Sequence, residues 1–379
     1  MKYLAVLGRQ PEISVAELEF SDFCTDIDRL GGTQKLAVLL EEKPLEYLQG
    51  LPEGKITVGV SDYSEKATRK SALDEALKLK KILVRHGRSV RVVENKDAVL
   101  STATSLHNGL GGGNERKVEL IKVDDGWYRV IGVQDIDAYA KRDQARPARD
   151  AKVGMLPPKL AQILINLCGP LEPSATVLDP FCGTGVVLQE ALLMGHRAYG
   201  TDINERMIEY SKRNLDWLMG DGNSHFEGVR SLARRGVAPA ARGDGPAGRA
   251  PRNGLFRLSV GDATSCHWEQ PIDAVACEGY LGKPFSQIPS EMALKEQKQE
   301  CGEIVRGFLK NLAGQIKSGA PVVIAVPAWL RPDGSYERLE VVDEIEDMGY
   351  NVNNKTREGL LYHRDGKVVA RDILILRKK

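Results

Sequence analysis

Hydrophobic and polar positions follow two different periods in the first third of the chain. Alternation or short apolar runs predict β-strands, and a period near 3.6 predicts an amphipathic helix over residues 71–86. The strand candidates are residues 2–7, 56–60, 89–93, 118–123 and 127–133. The last two are joined by Asp124-Asp125-Gly126, a turn sequence typical of hairpins. The pattern predicts two small α+β units, residues 1–52 and 53–137.

A polar connector over residues 138–158 precedes a different pattern. From residue 159 onward, short apolar strands alternate with helices, which is typical of a parallel, doubly wound α/β sheet. Residues 220–254 interrupt this pattern, because they are rich in Gly, Pro, Ala and Arg and lack periodicity. We therefore predict an α/β domain over residues 159–379 that contains a flexible insertion.

Composition and charge leave this picture largely unchanged. The hydrophobic fraction of 42% and the charged fraction of 28% are those of an ordinary globular protein, and the net charge is +1. Arginines nevertheless concentrate over residues 228–257, against a single acid, Asp244. They are Arg230, Arg234, Arg235, Arg242, Arg249, Arg252 and Arg257. A local basic patch of this kind can bind phosphate even in a nearly neutral protein.

Signals for export, membrane insertion and metal binding are lacking in the sequence. Arg9 and Gln10 follow the apolar N-terminus too early for a signal peptide, and no run approaches the roughly 20 apolar residues of a membrane helix. The six cysteines form no C-x-x-C pair, which argues against a zinc site or a disulfide framework. We expect a cytoplasmic protein with reduced cysteines and no metal.

The strongest chemical signal is a glycine-rich turn between a predicted strand and a predicted helix. It reads Asp179-Pro180-Phe181-Cys182-Gly183-Thr184-Gly185. Gly183 and Gly185 permit a tight turn and a close approach of ligand to backbone. In open α/β sheets, ligands bind at the carboxyl ends of the strands. The turn is neither a P-loop nor a G-x-G-x-x-G dinucleotide site, because both the Gly-Lys-Ser/Thr sequence and the glycine spacing are missing.

Acidic residues also end the next two predicted strands. Asp202, followed by Ile203, lies about 20 residues beyond the turn, where a carboxylate can accept hydrogen bonds from ribose hydroxyls. Asp262, followed by Ala263, ends the third strand, where a carboxylate can accept from the exocyclic amine of adenine. The alternative is that these acids and Asp179 are solvated turn carboxylates. Their placement at successive strand ends favours a nucleoside-bearing cofactor.

These residues resemble the class I S-adenosylmethionine-dependent methyltransferases. More narrowly, they resemble the THUMP-domain tRNA guanine-N2 methyltransferases that modify guanosine 10. The narrower resemblance also rests on other stretches, which are Tyr3–Gly8, Leu30–Lys35, Leu100–Ala103 and Arg146–Leu167. It covers most of the chain apart from the insertion.

The resemblance implies a fold and a cofactor site. The fold is α/β, with a Rossmann-like class I methyltransferase domain behind an N-terminal ferredoxin-like unit (residues 1–52) and a THUMP-like RNA-binding domain (residues 53–137). S-adenosylmethionine is the implied cofactor, and RNA, above all tRNA, is the implied substrate. The implied cofactor-binding residues are Asp179, Pro180, Phe181, Cys182, Gly183, Thr184, Gly185, Asp202, Ile203, Asp262 and Ala263.

The catalytic motif departs from that family. Its members carry Asp/Asn-Pro-Pro-Tyr at the end of the fourth strand, whereas this chain reads Cys277-Glu278-Gly279-Tyr280. Glu278 can accept a hydrogen bond from an exocyclic amine, and Tyr280 can stack on a flipped base. One alternative is a structural turn, with Glu278 capping and Tyr280 in the core. Another makes Cys277 a nucleophile for pyrimidine C5 methylation.

Other functions and partners stay open at this point. A DNA amino-methyltransferase would share the cofactor site, and a non-catalytic RNA-binding protein would keep the pocket without the chemistry. Cations that could face a phosphate backbone, or form a solvated helix face, are Lys78, Lys80, Lys81, Arg85, Arg88 and Arg91. Further cations lie in the connector, namely Lys141, Arg142, Arg146, Arg149 and Lys152. Some relatives in the family need a small zinc-binding partner protein, so an activator also stays open, as does the oligomeric state.

Overall fold

The computed structural model describes residues 1–22, 24–124, 126–150, 155–220, 254–269, 271–353 and 360–379. These residues form two compact units, one of residues 1–14 and 24–139 and the other of residues 15–23 and 140–379. The predicted insertion lies outside the described residues except at its two ends, and so does Lys152. In the described part of the chain, no helix has the length and apolar character needed to cross a membrane.

The first part of the chain is a mixed α/β structure. Its elements are β1 (Tyr3–Leu7), α1 (Pro11–Phe20), β2 (Thr33–Leu39), α2 (Pro44–Gln49), β3 (Ile56–Asp62), α3 (Arg69–Arg85), β4 (Val90–Val92), α4 (Thr102–His107), β5 (Lys117–Val123) and β6 (Gly126–Val133). The predicted hairpin is confirmed, because β5 and β6 pair antiparallel with Val123 opposite Gly126. Helix α3 confirms the predicted amphipathic helix and buries Ala72, Ala76, Leu79 and Leu83.

The boundary predicted at residue 52 does not separate two sheets. Within the described residues, one sheet has the order β1-β2-β6-β5-β3-β4. Strand β2 pairs antiparallel with β6, from Lys35 opposite Val133 to Leu39 opposite Tyr128. Without β6, that edge of β2 would expose a row of unpaired backbone groups. Residues on both sides of position 52 therefore belong to one compact unit, which corrects the predicted division into 1–52 and 53–137.

A buried ion pair crosses the middle of this sheet. The Lys35 ammonium donates to Glu119 at 2.6 Å and to the Leu100 carbonyl at 2.7 Å. Ser61 and Ser105 donate to the two carboxylate oxygens of Glu119 at 2.7 and 2.5 Å. Burial lowers the pKa of Lys35, and the charge of Glu119 opposes that shift. The contacts join β2, β3, β5 and the N-terminal end of α4, so this network fixes their relative positions.

Replacing Lys35 with methionine is expected to destabilise this unit by about 3–5 kcal/mol, because Glu119 would remain as an unpaired buried charge. Hydrogen exchange of the β3 and β5 amides measures the loss. Adding Glu119→Gln should recover part of it, since the unpaired charge is removed and the amide oxygen still accepts from one of the two serines. Lys78→Met is the control, because Lys78 is exposed and should change stability by about 0.5 kcal/mol or less. Equal losses of stability in Lys35→Met and Lys78→Met would contradict the structural role of the Lys35–Glu119 pair.

The rest of the chain builds a larger α/β sheet. Its elements are α5 (Ile136–Gln144), α6 (Pro158–Leu167), β7 (Thr176–Asp179), α7 (Val186–Leu193), β8 (Arg197–Asp202), α8 (Glu205–Leu218), β9 (Phe256–Val260), β10 (Ala274–Glu278), α9 (Glu291–Ala313), β11 (Pro321–Leu330), β12 (Tyr336–Arg338), β13 (Tyr350–Val352), β14 (Leu360–Tyr362) and β15 (Val369–Lys378). Short 3-10 helices cover Ile27–Arg29 and Glu340–Glu344.

The described strands of this sheet follow the order β13-β15-β11-β10-β7-β8-β9, with β12 beside β11 and β14 beside β15. Strands β7 to β11 are parallel, which confirms the predicted doubly wound arrangement, while β15 runs antiparallel to β11. The chain proceeds outward from β7 through β8 to β9 and then returns to β10 on the other side of β7. Strand order therefore reverses between β7 and β10, where a crevice opens at the carboxyl ends.

The predicted linker over residues 138–158 also requires correction. Helix α5 covers its first part, and residues from 140 onward belong to the second unit. Arg142 is buried and donates to Glu190 of α7 at 2.8 Å, and Arg146 is buried as well. Because Glu190 is itself buried, its carboxylate needs this cation. Two of the cations expected on a basic connector thus pack inside the second unit.

Candidate active site

The glycine-rich turn connects β7 to α7 as predicted. Strand β7 ends at Asp179 and α7 begins at Val186. Gly183 and Gly185 have φ angles of +50° and +80°, in the left-handed region that favours glycine. The Gly185 amide closes the turn by donating to the Cys182 carbonyl at 2.7 Å.

The two glycines have different surroundings. A Cβ atom on Gly185 would lie 2.8 Å from the Ser211 hydroxyl oxygen and 3.2 Å from its Cα atom. A Cβ atom on Gly183 would have the Phe181 carbonyl oxygen as its nearest neighbour, at 3.9 Å. Gly185 therefore allows the turn to pack against α8, whereas Gly183 borders open space that a ligand can occupy.

Two polar residues of α8 hold the turn from below. The Ser211 hydroxyl donates to the Gly183 carbonyl at 2.8 Å. The Asn214 amide donates to the Thr184 carbonyl at 2.8 Å and to the Ala148 carbonyl at 2.9 Å. Neither residue is among the site residues predicted from the sequence. Their only signal is their position on the apolar, buried face of α8, where a polar side chain requires a partner.

Asp202 lies beside the turn at the end of β8. One carboxylate oxygen accepts from the Gly183 amide and the other from the Asn204 amide, both at 2.9 Å. Each oxygen keeps a further lone pair that can accept from a ligand hydroxyl. Burial raises the pKa of Asp202. The neighbouring Ile203 is 71% exposed, so its side chain can cover a ligand at this edge.

Asp262 follows β9 and is joined to Asp202 through the backbone, because the Gly261 amide donates to the Asp202 carbonyl at 3.0 Å. One Asp262 oxygen accepts from the amide and the hydroxyl of Thr264 at 2.9 and 2.7 Å, and these bonds lower the pKa of Asp262. The other oxygen has no partner among the described residues. Ala263 is buried behind it.

Asp179 is the most deeply buried of the three acids. It accepts from the Phe181 amide at 3.1 Å. Burial raises the pKa of Asp179 well above its usual range, and the negative charges of Asp202 and Glu278 raise it further. The structure thus brings these carboxyl groups together, and such an acidic site favours a cationic ligand.

The middle of the turn serves packing as well. The Phe181 ring meets Phe308 edge to face, with centroids 5.3 Å apart. The Cys182 side chain is buried, and its amide donates to Thr201. The Pro180 carbonyl accepts from the Thr201 hydroxyl at 3.4 Å. Two of the predicted cofactor residues therefore take part in packing, since Cys182 is buried and Phe181 is partly buried against the core.

Cys277 is placed where it cannot act as a nucleophile. Its side chain is 0% exposed, within the apolar cluster between the sheet and α9. Burial raises the pKa of the thiol well above its usual range, and the negative charge of Asp179 adds to the shift. Because the thiolate is the reactive form, this placement contradicts the predicted alternative of Cys277-dependent pyrimidine methylation.

Glu278 is the last residue of β10, at the carboxyl end of that strand. Its Oε1 atom accepts from the Nε atom of Arg371 on β15. The Glu278 side chain is 17% exposed and that of Arg371 is 11% exposed. The Oε2 atom of Glu278 has no partner among the described residues. A carboxylate with one anchored oxygen and one open oxygen can accept a hydrogen bond from a ligand amine.

Helix α9 holds the loop that follows Glu278. The Tyr280 hydroxyl donates to Glu300 at 3.2 Å, and the Gln297 amide donates to the other Glu300 oxygen at 3.0 Å. Gln297 also accepts from the Lys283 amide at 2.6 Å. Tyr280 is half-buried against the core, and burial, with the Glu300 charge second, raises its pKa. The Tyr280 ring therefore packs partly against the core, as the alternative of a structural turn predicts.

Substitution of each glycine by alanine should destabilise the protein to a different extent, because a Cβ atom has less space at Gly185 than at Gly183. Gly183→Ala is expected to lower the free energy of unfolding by about 1–2 kcal/mol, from the left-handed backbone alone. Gly185→Ala should lower it by about 2–4 kcal/mol, because the clash with Ser211 is added. Denaturant titration measures both. Equal losses would show that α8 does not constrain the turn.

Parts of this chain are similar to known proteins. Residues 114–213 match a family model described as DNA methylase. The tRNA (guanine(10)-N2)-dimethyltransferase of Methanothermobacter thermautotrophicus is 45% identical over 190 residues, which are 50% of this chain and 44% of that protein. The enzyme of the same description from Pyrococcus abyssi is 47% identical over 62 residues, 16% of this chain and 18% of that protein. The chain thus spans less than half the length of either relative.

Among solved structures, TrmN from Thermus thermophilus is similar to this chain with a TM-score of 0.41 and 19% identity. The match covers 92% of this chain and 84% of that protein.

Proposed function

We propose that this protein is an S-adenosylmethionine-dependent methyltransferase that methylates the N2 amine of guanosine 10 in tRNA. The observation that carries the proposal is the open Oε2 atom of Glu278, beside the glycine turn at the strand-order reversal. The two sequence relatives support tRNA and guanosine 10, because both are described as acting there.

The residues of the crevice fit this cofactor. Bound S-adenosylmethionine supplies a methyl group on a positively charged sulfonium. Asp202 would accept from the ribose hydroxyls and the open Asp262 oxygen from the adenine amine, while the space at Gly183 would admit part of the cofactor close to the backbone. Asp179 would contribute negative charge near the cationic part.

Glu278 and Tyr280 would hold the target base. An exocyclic amine is a weak nucleophile, so orientation matters more than a strong base. Glu278 would accept one N–H, orient the nitrogen lone pair, and take up the proton that the amine loses on methylation. The hydroxyl contact with Glu300 fixes Tyr280 as a stacking surface for a flipped base.

We infer that the N-terminal unit is the THUMP-like, RNA-binding part. A groove between α3 and the edge strand β4 is lined by Lys55, Lys80 and Arg91, with Glu94 as the opposing charge. Cations along such a groove can contact phosphates and position a structured RNA. Arg88 contributes differently from the prediction, because its guanidinium donates to three backbone carbonyls.

Two rival functions have specific support. The family model described as DNA methylase favours a DNA amino-methyltransferase with the same cofactor site. The replacement of Asp/Asn-Pro-Pro-Tyr by Cys277-Glu278-Gly279-Tyr280 favours an RNA-binding protein without chemistry.

Incubation with labelled S-adenosylmethionine and unmodified bulk tRNA should yield labelled N2-methylguanosine on digestion. Glu278→Ala should lower kcat by about 100-fold or more while cofactor affinity stays within about twofold. Glu296→Ala, on the exposed face of α9, is the matched control and should keep full activity. Labelled DNA in place of tRNA would support the first rival. Cofactor binding without label in any nucleic acid would support the second.

Affinity for S-adenosylmethionine should rise with pH. Burial raises the Asp179 pKa, so the carboxyl group is neutral below that raised value and anionic above it. A cationic ligand prefers the anionic form, and binding therefore releases a proton. Calorimetry over a pH series above the usual titration range of aspartate should show this slope, and Asp179→Asn should flatten it.

S-adenosylhomocysteine is the ligand control for this measurement, since it lacks the sulfonium charge and should show a weaker slope. A slope that survives unchanged in Asp179→Asn would assign the titration to another group, such as Asp202.

A further inference from the structure

Arg371 is a charged residue for which the sequence predicted no role, and it lies beside Glu278, the candidate amine acceptor. It sits on β15, opposite Pro327 of β11 and opposite Tyr362 of β14. Its guanidinium lies 5.8 Å from the centre of the Tyr362 ring, and its Nε atom donates to Glu278. Contacts on both sides of a largely buried guanidinium keep this cation in one position.

The other nearby ion pair does not compete for Arg371. Arg338 of β12 donates to Asp372 at 3.3 Å, and Asp372 is buried. Successive residues of a strand face opposite sides of the sheet, so Asp372 and Arg371 are directed apart. Glu278 is thus the carboxylate that Arg371 serves.

The pairing determines what Glu278 can offer a ligand. With Oε1 held by Arg371, the carboxylate is anchored at one oxygen, and Oε2 has no partner among the described residues. Both oxygens are acceptors only, and each has a second lone pair. Partial burial strengthens the hydrogen bonds that they accept.

The bases differ in whether their hydrogen-bonding edges match a carboxylate, which only accepts hydrogen bonds. The pairing edge of guanine presents two adjacent donors, N1–H and the N2 amine. The corresponding edges of adenine and cytosine place an acceptor nitrogen beside the amine, and that nitrogen would be repelled by a carboxylate oxygen. An amide side chain, which both donates and accepts, matches adenine and cytosine instead. A fixed carboxylate therefore discriminates in favour of guanine.

We propose that Glu278 selects guanine by accepting hydrogen bonds from both N1–H and the N2 amine, and that Arg371 is the positioning residue that orients it. This inference rests on the proposed function and deepens it, because it names the group that discriminates between bases. It also gives a chemical reason for a glutamate where the family has an Asp/Asn-Pro-Pro-Tyr motif.

The test uses tRNA in which 2-aminopurine replaces the target guanine. This base keeps the N2 amine, but its N1 atom is an acceptor. The full-length enzyme should methylate it with a kcat/KM about 100-fold below that for guanine, because the N1–H bond to a charged acceptor is lost. Glu278→Gln should narrow the difference to about fivefold or less, since the amide can donate to N1. A difference caused by the missing O6 atom would persist in Glu278→Gln and would overturn the proposal.

The role of Arg371 is tested by the same ratio of kcat/KM values, that for guanine over that for 2-aminopurine. Arg371→Gln should narrow the guanine preference to roughly tenfold or less, and Arg371→Lys should restore part of it. A merely structural role would lower activity on both substrates alike and leave the ratio unchanged. Arg364→Gln, an exposed residue in the loop between β14 and β15, is the matched control and should keep the full preference.

The outcomes separate this proposal from the function on which it rests. Methylation of guanine with no preference over 2-aminopurine would overturn the selection by Glu278 and leave the proposed function intact. An unchanged preference in Arg371→Gln would overturn the positioning role. Absence of methylation on guanine itself would overturn both.

Discussion

The reversal of strand order between β7 and β10 determines where every charged group of the candidate site lies. Parallel strands buried on both faces cannot hold charges along their length, so charges collect where the strands end. Asp179, Asp202 and Glu278 end β7, β8 and β10 respectively, and the reversal opens a crevice between two of those ends. The sheet therefore places a carboxylate on either side of a space that a ligand can enter.

Keeping several carboxyl groups close together is unfavourable unless each has hydrogen-bond donors. Here the donors come from the turn and from a distant strand. The Phe181 amide serves Asp179, the Gly183 amide serves Asp202, and Arg371 serves Glu278. The same contacts that stabilise the fold thus set the positions and the remaining acceptor capacity of the site.

Two ion pairs among the described residues, Lys35–Glu119 and Arg371–Glu278, differ in how much acceptor capacity the carboxylate keeps. Glu119 is buried and receives donors on both oxygens, from Lys35, Ser61 and Ser105, so its capacity is used within the fold. Glu278 receives Arg371 on one oxygen and remains partly exposed. Its second oxygen has no partner among the described residues, and this unused acceptor capacity is the basis of the proposed selectivity.

Local requirements determined by the sequence itself were the easiest to predict. Left-handed backbone at Gly183 and Gly185 and acids at strand ends follow from residue type and from spacing along the chain. Side-chain partners depended on tertiary structure, because strand order decides which distant residues meet. Arg371 is 93 residues from Glu278, and the burial of Cys277 and the pairing of β2 with β6 appear only in the folded sheets. Sequence thus determined the turn and its acids, while the assembled sheets decided which acid is anchored and which oxygen stays open.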